Sequence, residues 1–355
     1  TSTCCSNTAT EHTMAEKIMV DTVVAQARDY HVDGFRFDLM GYHSIESMGK
    51  IRAGLDELTV EKDGIDGKSV YLYGEGWDFG EVAGDALFPQ TSKKNIAGTN
   101  VGAFNDALRD AVRGGGPFDE DQRTEQGFGT GLYCDPSDAA LATHSMEQLL
   151  EDLLHAEAVI KAGLAGSLKD FPIPTASGNA IPARELDQNG QPVGYTTNPQ
   201  EAINYVEAHD NETLFDNGIW KMPTDSPMDA RIRMQTLSNA TVALGQSPAF
   251  WAAGTELLRS KSLDRDSYNS GDWFNSIVWD ATWHQFGKGL PVWEKNGQRW
   301  EQMRPLLTRA ANLPDREALE RARTMALDLL RLRASSPLFT LGDAKLIKEK
   351  VSFPN

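Results

Sequence analysis

Cysteine is scarce in this 355-residue chain: there are three, and two of them, Cys4 and Cys5, are adjacent. So few exclude a disulfide framework. A bridge between neighbours would be strained, so the pair reads as reduced thiols. No CxxC and no pair of histidines stands at ligand spacing, which leaves metal chemistry without support. Apolar runs are short as well, and none approaches the roughly 18 residues of a membrane span. Basic residues are in deficit, with 34 Lys and Arg against 51 Asp and Glu and a formal net charge of −17. That balance argues against nucleic acid or an anionic membrane as partner. Phosphate cradles are missing too. The glycines of Arg113-Gly114-Gly115-Gly116-Pro117 fit neither a dinucleotide nor a P-loop pattern.

What is present is a globular composition, 40% apolar and 24% charged. The length fits two domains, or one barrel with an added piece. Thr1 opens the chain without a signal-peptide pattern, and both ends read as cut from a longer polypeptide. Thr13-Met14-Ala15-Glu16 predicts a capping box and a helix to about Tyr30. A strand follows from about Val32, then a helix over Ser44 to Leu58 and a strand over Ser69 to Tyr73. This alternation is the rhythm of a parallel α/β sheet. Helices are expected over Ser145 to Leu164, Arg231 to Leu244 and Arg316 to Arg333. Strands are expected over Glu201 to Ala208 and Ala249 to Ala253. Pro172 to Pro199 reads as a long polar surface excursion.

Three segments share one layout, an apolar strand that ends in charge. They are Gly34-Phe35-Arg36-Phe37-Asp38, Leu72-Tyr73-Gly74-Glu75-Gly76-Trp77-Asp78 and Tyr205-Val206-Glu207-Ala208-His209-Asp210-Asn211. A carboxylate that closes a buried strand is costly unless it is paired or functional. In a parallel barrel the C-terminal strand ends carry the active site, so the three would converge on one mouth. Such residues suit glycoside hydrolysis, in which one carboxylate attacks and a second donates a proton. Arg36 and Asp38, two apart, point to the same face of their strand, where Arg36 would aim Asp38. Gly74 and Gly76 leave room beside Glu75, and Trp77 offers a flat face to a sugar ring.

These segments resemble signature regions of the α-amylase superfamily. They most resemble its starch-debranching branch, the type I pullulanases and limit dextrinases. Asn105 to Phe118, Leu258 to Asn275 and the opening Ser2 to Thr8 are similar to the same group. The resemblance implies an α/β fold, a (β/α)8 TIM barrel. It makes Asp38 the nucleophile, Glu75 the general acid/base and Asp210 the carboxylate that stabilises the transition state. Arg36, Trp77, His209, Asn211 and Asp266 would contact substrate. The family's Asn-His element, expected upstream of Asp38, has no match. The barrel is therefore expected to be incomplete, with strands four to eight over residues 1–340 and the start of a C-terminal β-sandwich over 341–355.

The function so implied is retaining hydrolysis of α-1,6 branch linkages in pullulan, limit dextrins or amylopectin. These residues alone are expected to be inactive, because their partner would be the missing part of their own barrel. Isoamylase, branching enzyme and a non-catalytic glucan-binding relative are the alternatives. No cofactor is needed for the chemistry. A structural calcium is compatible with the family, though no Asp-rich loop here matches an EF-hand. The compartment is open: secreted or at the cell surface if bacterial, the plastid if plant.

Overall fold

The computed structural model of the chain describes residues 8–117, 119–175 and 178–354. Cys4, Cys5 and Phe118 lie outside these residues; Cys134 is a free, exposed thiol. The centre is a parallel sheet of four strands. β1 (Gly34–Phe37), β2 (Tyr71–Gly74) and β3 (Gly102–Phe104) come first in the chain. Two small antiparallel ladders follow, β4 (Pro172–Pro174) with β5 (Ala180–Pro182) and β6 (Asp187–Gln188) with β7 (Gln191–Pro192). β8 (Ala202–Ile203) completes the sheet, whose order is β1-β2-β3-β8. Just past β8, Asn204 makes a parallel bridge to Ala249. The described residues form no closed barrel.

Register sorts the side chains. Phe35 pairs with Leu72 and Arg36 with Tyr73, and paired residues on parallel strands face the same way. Phe35, Phe37, Leu72 and Ala103 therefore join Met48, Ile51 and Leu55 of the helix Ile45–Asp56 in one core. The helix Thr13–Tyr30 covers that core with Val23 and Ala27. Gly54 lets the two helices approach, because a Cβ there would meet a Val24 methyl at 2.9 Å. The opposite face of the sheet is aromatic. Tyr71 stacks on Tyr73, and Phe104 meets Tyr73, Tyr205 and Phe250 edge to face. Arg36 lies on this face, its guanidinium 5.9 Å from the Phe104 ring centre.

The expected helices are present: Met146–Leu164, Met228–Ala243 and Arg316–Ala334. Ser145 and Gln148 form a true capping box at the first of them. Four expectations change. His12, not Thr13, is the N-cap of the first helix. Glu16 is not part of a capping box; it reaches instead to Ser47 Oγ and Lys50 Nζ, at 2.7 and 2.8 Å. Only Ala202 and Ile203 of the segment Glu201 to Ala208 are strand, and Ala249 to Ala253 contributes only a bridge. Pro172 to Pro199 is no surface excursion, since Ile173, Ala183, Leu186, Val193 and Tyr195 are buried. Ala344–Lys350 is a helix capped by Asp343.

Candidate active site

The ladder between β1 and β2 ends at the pair Phe37 and Gly74, and the next residue on each strand is a carboxylate, Asp38 and Glu75. Neighbouring parallel strands joined by one crossover bring them side by side. Arg36 ties them together. Its Nη1 donates to Asp38 Oδ1 at 2.6 Å and its Nη2 to Glu75 Oε1 at 2.8 Å. The second Glu75 oxygen accepts from the Leu39 amide at 2.8 Å. Leu39 takes a left-handed conformation, φ +45°, that turns this amide toward Glu75. Glu75 is 8% exposed, whereas the Asp38 side chain is 66% exposed. One carboxylate is thus held in the wall and the other is open to a ligand.

His209 comes to the same place. A ring nitrogen of His209 and one carboxylate oxygen each from Asp38 and Glu75 lie within 4.8 Å of one another. Its Nε2 is 3.6 Å from Asp210 Oδ1, and both side chains are more than half exposed. Two carboxylates and an imidazole at this spacing match a cation's donor set in composition. Arg36, however, already supplies the positive charge between the carboxylates.

The loop that carries His209 and Asp210 is anchored from behind. Lys261, 2% exposed, donates from Nζ to the carbonyls of His209 at 3.2 Å and Asn211 at 2.6 Å. Burial lowers the Lys261 pKa. Arg113, 9% exposed, donates to the carbonyls of Val206 at 3.0 Å and Glu212 at 2.9 Å. Asn211 itself takes a left-handed φ of +63°. The sequence reading missed Lys261, Arg113 and the Leu39 amide. Lys261 and Arg113 lie inside the segments Leu258 to Asn275 and Asn105 to Phe118, so position in a signature region was the available signal.

Trp77 is half-buried beside the aromatic face, with Lys93 Nζ 5.6 Å from its ring centre. Its carbonyl packs on Gly41, where a Cβ would sit 2.0 Å from the oxygen. Asp266 is engaged elsewhere. It pairs with Lys295 at 3.1 Å, and its amide donates to the buried Asp264 at 3.0 Å. The structure thus brings Arg36, Asp38, Glu75, His209 and Asp210 together and gives Asp266 a separate partner.

Fold and site define an α/β chain with a carboxylate cluster at the C-terminal ends of parallel strands. The chain is similar to pullulanases. Residues 281–355 match the family described as alpha-1,6-glucosidases, pullulanase-type, C-terminal. Over 355 residues the chain is 42% identical to pullulanase 1, chloroplastic, of Arabidopsis thaliana, covering all of this chain and 36% of that protein. It is 39% identical to the pullulanase of Klebsiella pneumoniae, covering 99% of this chain and 31% of that one. The solved maltotriose complex of PulA from Klebsiella pneumoniae superposes with a TM-score of 0.89 over 97% of this chain and 35% of that chain. The chain spans about a third of the length of the curated relatives it matches. No helix among the described residues is long and apolar enough to cross a membrane.

Proposed function

We propose that this chain is part of a retaining α-glucan debranching hydrolase that cleaves α-1,6-glucosidic linkages in pullulan, limit dextrins or amylopectin. One observation carries the reading: Arg36 bridges Asp38 and Glu75 at the ends of adjacent parallel strands, with an oxygen of each within 4.8 Å. Retention needs two carboxyl groups about 5–5.5 Å apart, close enough for one to attack while the other protonates the leaving oxygen. Asp38, exposed and aimed by Arg36, forms the bond to the anomeric carbon. Glu75 gives its proton to the departing glycosidic oxygen. Glu75 then takes a proton from water, the water oxygen attacks the same carbon from the opposite side, and Asp38 is released. Asp210 and His209 face the developing positive charge and the sugar hydroxyls. Trp77 stacks on the sugar beyond the cleaved bond, Asn211 makes a further sugar contact, and Asp266 reaches sugar only by giving up its pair with Lys295. The chemistry uses no cofactor, and a bound calcium would serve structure only.

On this reading the four strands and the 249 bridge belong to a (β/α)8 barrel whose remaining strands pair with the free edge of β1. Residues 341–355 lead toward a further domain. The 355 residues then need the rest of the barrel to turn over substrate. The test is hydrolysis of pullulan by the chain alone and by the same chain within its longer polypeptide, with products followed by anomeric NMR. Maltotriose released as the α-anomer by the longer protein supports the reading, and initial release of the β-anomer refutes retention.

A further inference from the structure

The segment from Trp273 to Gln285 carries an aromatic surface that the proposed chemistry does not use. Trp273 and Trp283 stack with ring centres 6.0 Å apart and planes 18° from parallel. They remain 53% and 38% exposed, and Trp279, 60% exposed, lies between them in the chain. Tryptophan at a water-facing surface is a large apolar area left uncovered. Beside Trp283 opens a narrow cleft of about 20 Å³, room for one water-sized group such as a hydroxyl, with Ile277, Val278 and Leu319 among its lining and Arg259 and Gln285 also in its walls.

Two polar atoms of that wall lack partners among the described residues. Gln285, only 3% exposed, spends its Nε2 on the Trp273 carbonyl at 2.6 Å and leaves Oε1 buried and unbonded. Arg259 spends Nη2 on the Asn275 carbonyl at 2.8 Å and leaves Nε unbonded. A buried acceptor and a buried donor without partners are costly, and a hydroxyl can serve either, since it donates and accepts. A flat apolar platform beside a donor and an acceptor is the complement of a pyranose, which has a C–H face and a rim of hydroxyls.

We propose that Trp273, Trp283, Arg259 and Gln285 form an auxiliary platform for a neutral glucan chain. A glucosyl ring stacks on the exposed tryptophan face and inserts a hydroxyl group toward Gln285 Oε1 or Arg259 Nε. The choice of glucan rests on the reading of the carboxylate site. The cleft adjoins the anchor of that site along the backbone, because its wall residue Ser260 precedes Lys261, which holds the His209 loop.

Affinity electrophoresis of the longer polypeptide that carries this chain, through gels containing amylopectin and with maltotriose as soluble competitor, tests the platform. Trp283→Ala and Trp273→Ala should each weaken retention at least fivefold. Trp283→Tyr should keep most of it, and Gln285→Met should lose about threefold with an unchanged far-UV spectrum. Asp38→Asn should leave this retention in place. Wild-type retention by Trp283→Ala and Gln285→Met, with loss confined to Trp77→Ala, would overturn the platform and leave the carboxylate site as a glucan site. Absence of retention in every form, wild type included, would overturn both.

Discussion

Asp38 and Glu75 stand in register, each one residue beyond the last pair of the β1–β2 ladder. Their relationship is therefore fixed by backbone hydrogen bonds, and the side chains need little freedom to meet. Arg36, one residue before the end of β1, then sets the distance between them from a single guanidinium. Preorganised charge of this kind is what proton transfer and nucleophilic attack both require.

On the proposed mechanism, Glu75→Gln keeps the shape of the side chain and leaves no carboxyl group to transfer a proton. In the active enzyme, turnover should fall by about 10²–10⁴-fold, the range of general acid–base catalysis. Glucan binding should persist, and single-turnover kinetics beside equilibrium binding will separate the two. Near-normal turnover would reassign the acid.

Lys261→Met removes two hydrogen bonds from the loop of His209 and Asp210 and leaves both carbonyls without their buried donor. Bonds from a charged donor are worth about 1.5–3 kcal/mol each. Stability should drop by about 3–6 kcal/mol for the two bonds together, and kcat should fall more than the affinity for substrate changes. Lys261→Arg should recover part of both. A variant with lowered melting temperature and unchanged kcat would make Lys261 a purely structural residue.

Gly41→Ala tests the contact that seats Trp77. The new methyl would overlap the Trp77 carbonyl, at 2.0 Å, so the 75–77 turn must shift. Overpacking of this kind costs about 1–3 kcal/mol. KM for branched glucans should rise with the displacement of Trp77, and a crystal structure of the variant would show it. An unchanged KM with Trp77 in place would disprove the coupling.

His284 predicts an acid limb in stability. Its Nε2 bonds the Leu258 carbonyl at 2.8 Å and its Nδ1 accepts from the Phe286 amide at 3.2 Å, a pattern only the neutral ring with hydrogen on Nε2 satisfies. Burial pushes its pKa down to about 4 from an ordinary 6.5. The folded protein resists protonation that the unfolded chain accepts. Its contribution is therefore whole above pH 6.5 and lost as pH falls from about 6.5 to 4, amounting to about 3 kcal/mol. Denaturant titrations at pH 7 and pH 4.5 should show this loss in the wild type and a shallower one in His284→Gln. Equal slopes would remove His284 as the cause.

The parts legible in the sequence were those whose signal is local. Alternation along Gly34 to Phe37 and the short apolar run at Tyr71 gave two strands, and the charged residues that end them marked the cluster. The parts that stayed hidden depend on contacts across the chain. Lys261 and Arg113 act on backbone carbonyls, which carry no sequence signature. β8 has only two ladder residues, too few for a periodic pattern. The prolines and polar residues of 172–199 imitate a loop, yet Ile173 and Val193 are buried in the core of the helix Met146–Leu164. Asp266 stood in a signature segment, but Lys295, distant in the sequence, pairs with its side chain.

The sheet is also a clock. β1, β2 and β3 are joined by local crossovers and can pair soon after synthesis, but residue 103 waits for residue 202. Closing so long a loop costs entropy before any contact returns it, so β8 is expected to dock last. Until then the bonding edge of β3 stands open to neighbouring nascent chains. Solubility during expression should therefore respond more to changes in Phe104, Ile203 and the buried Asn105–Asn204 bond at this seam than to changes at the carboxylates.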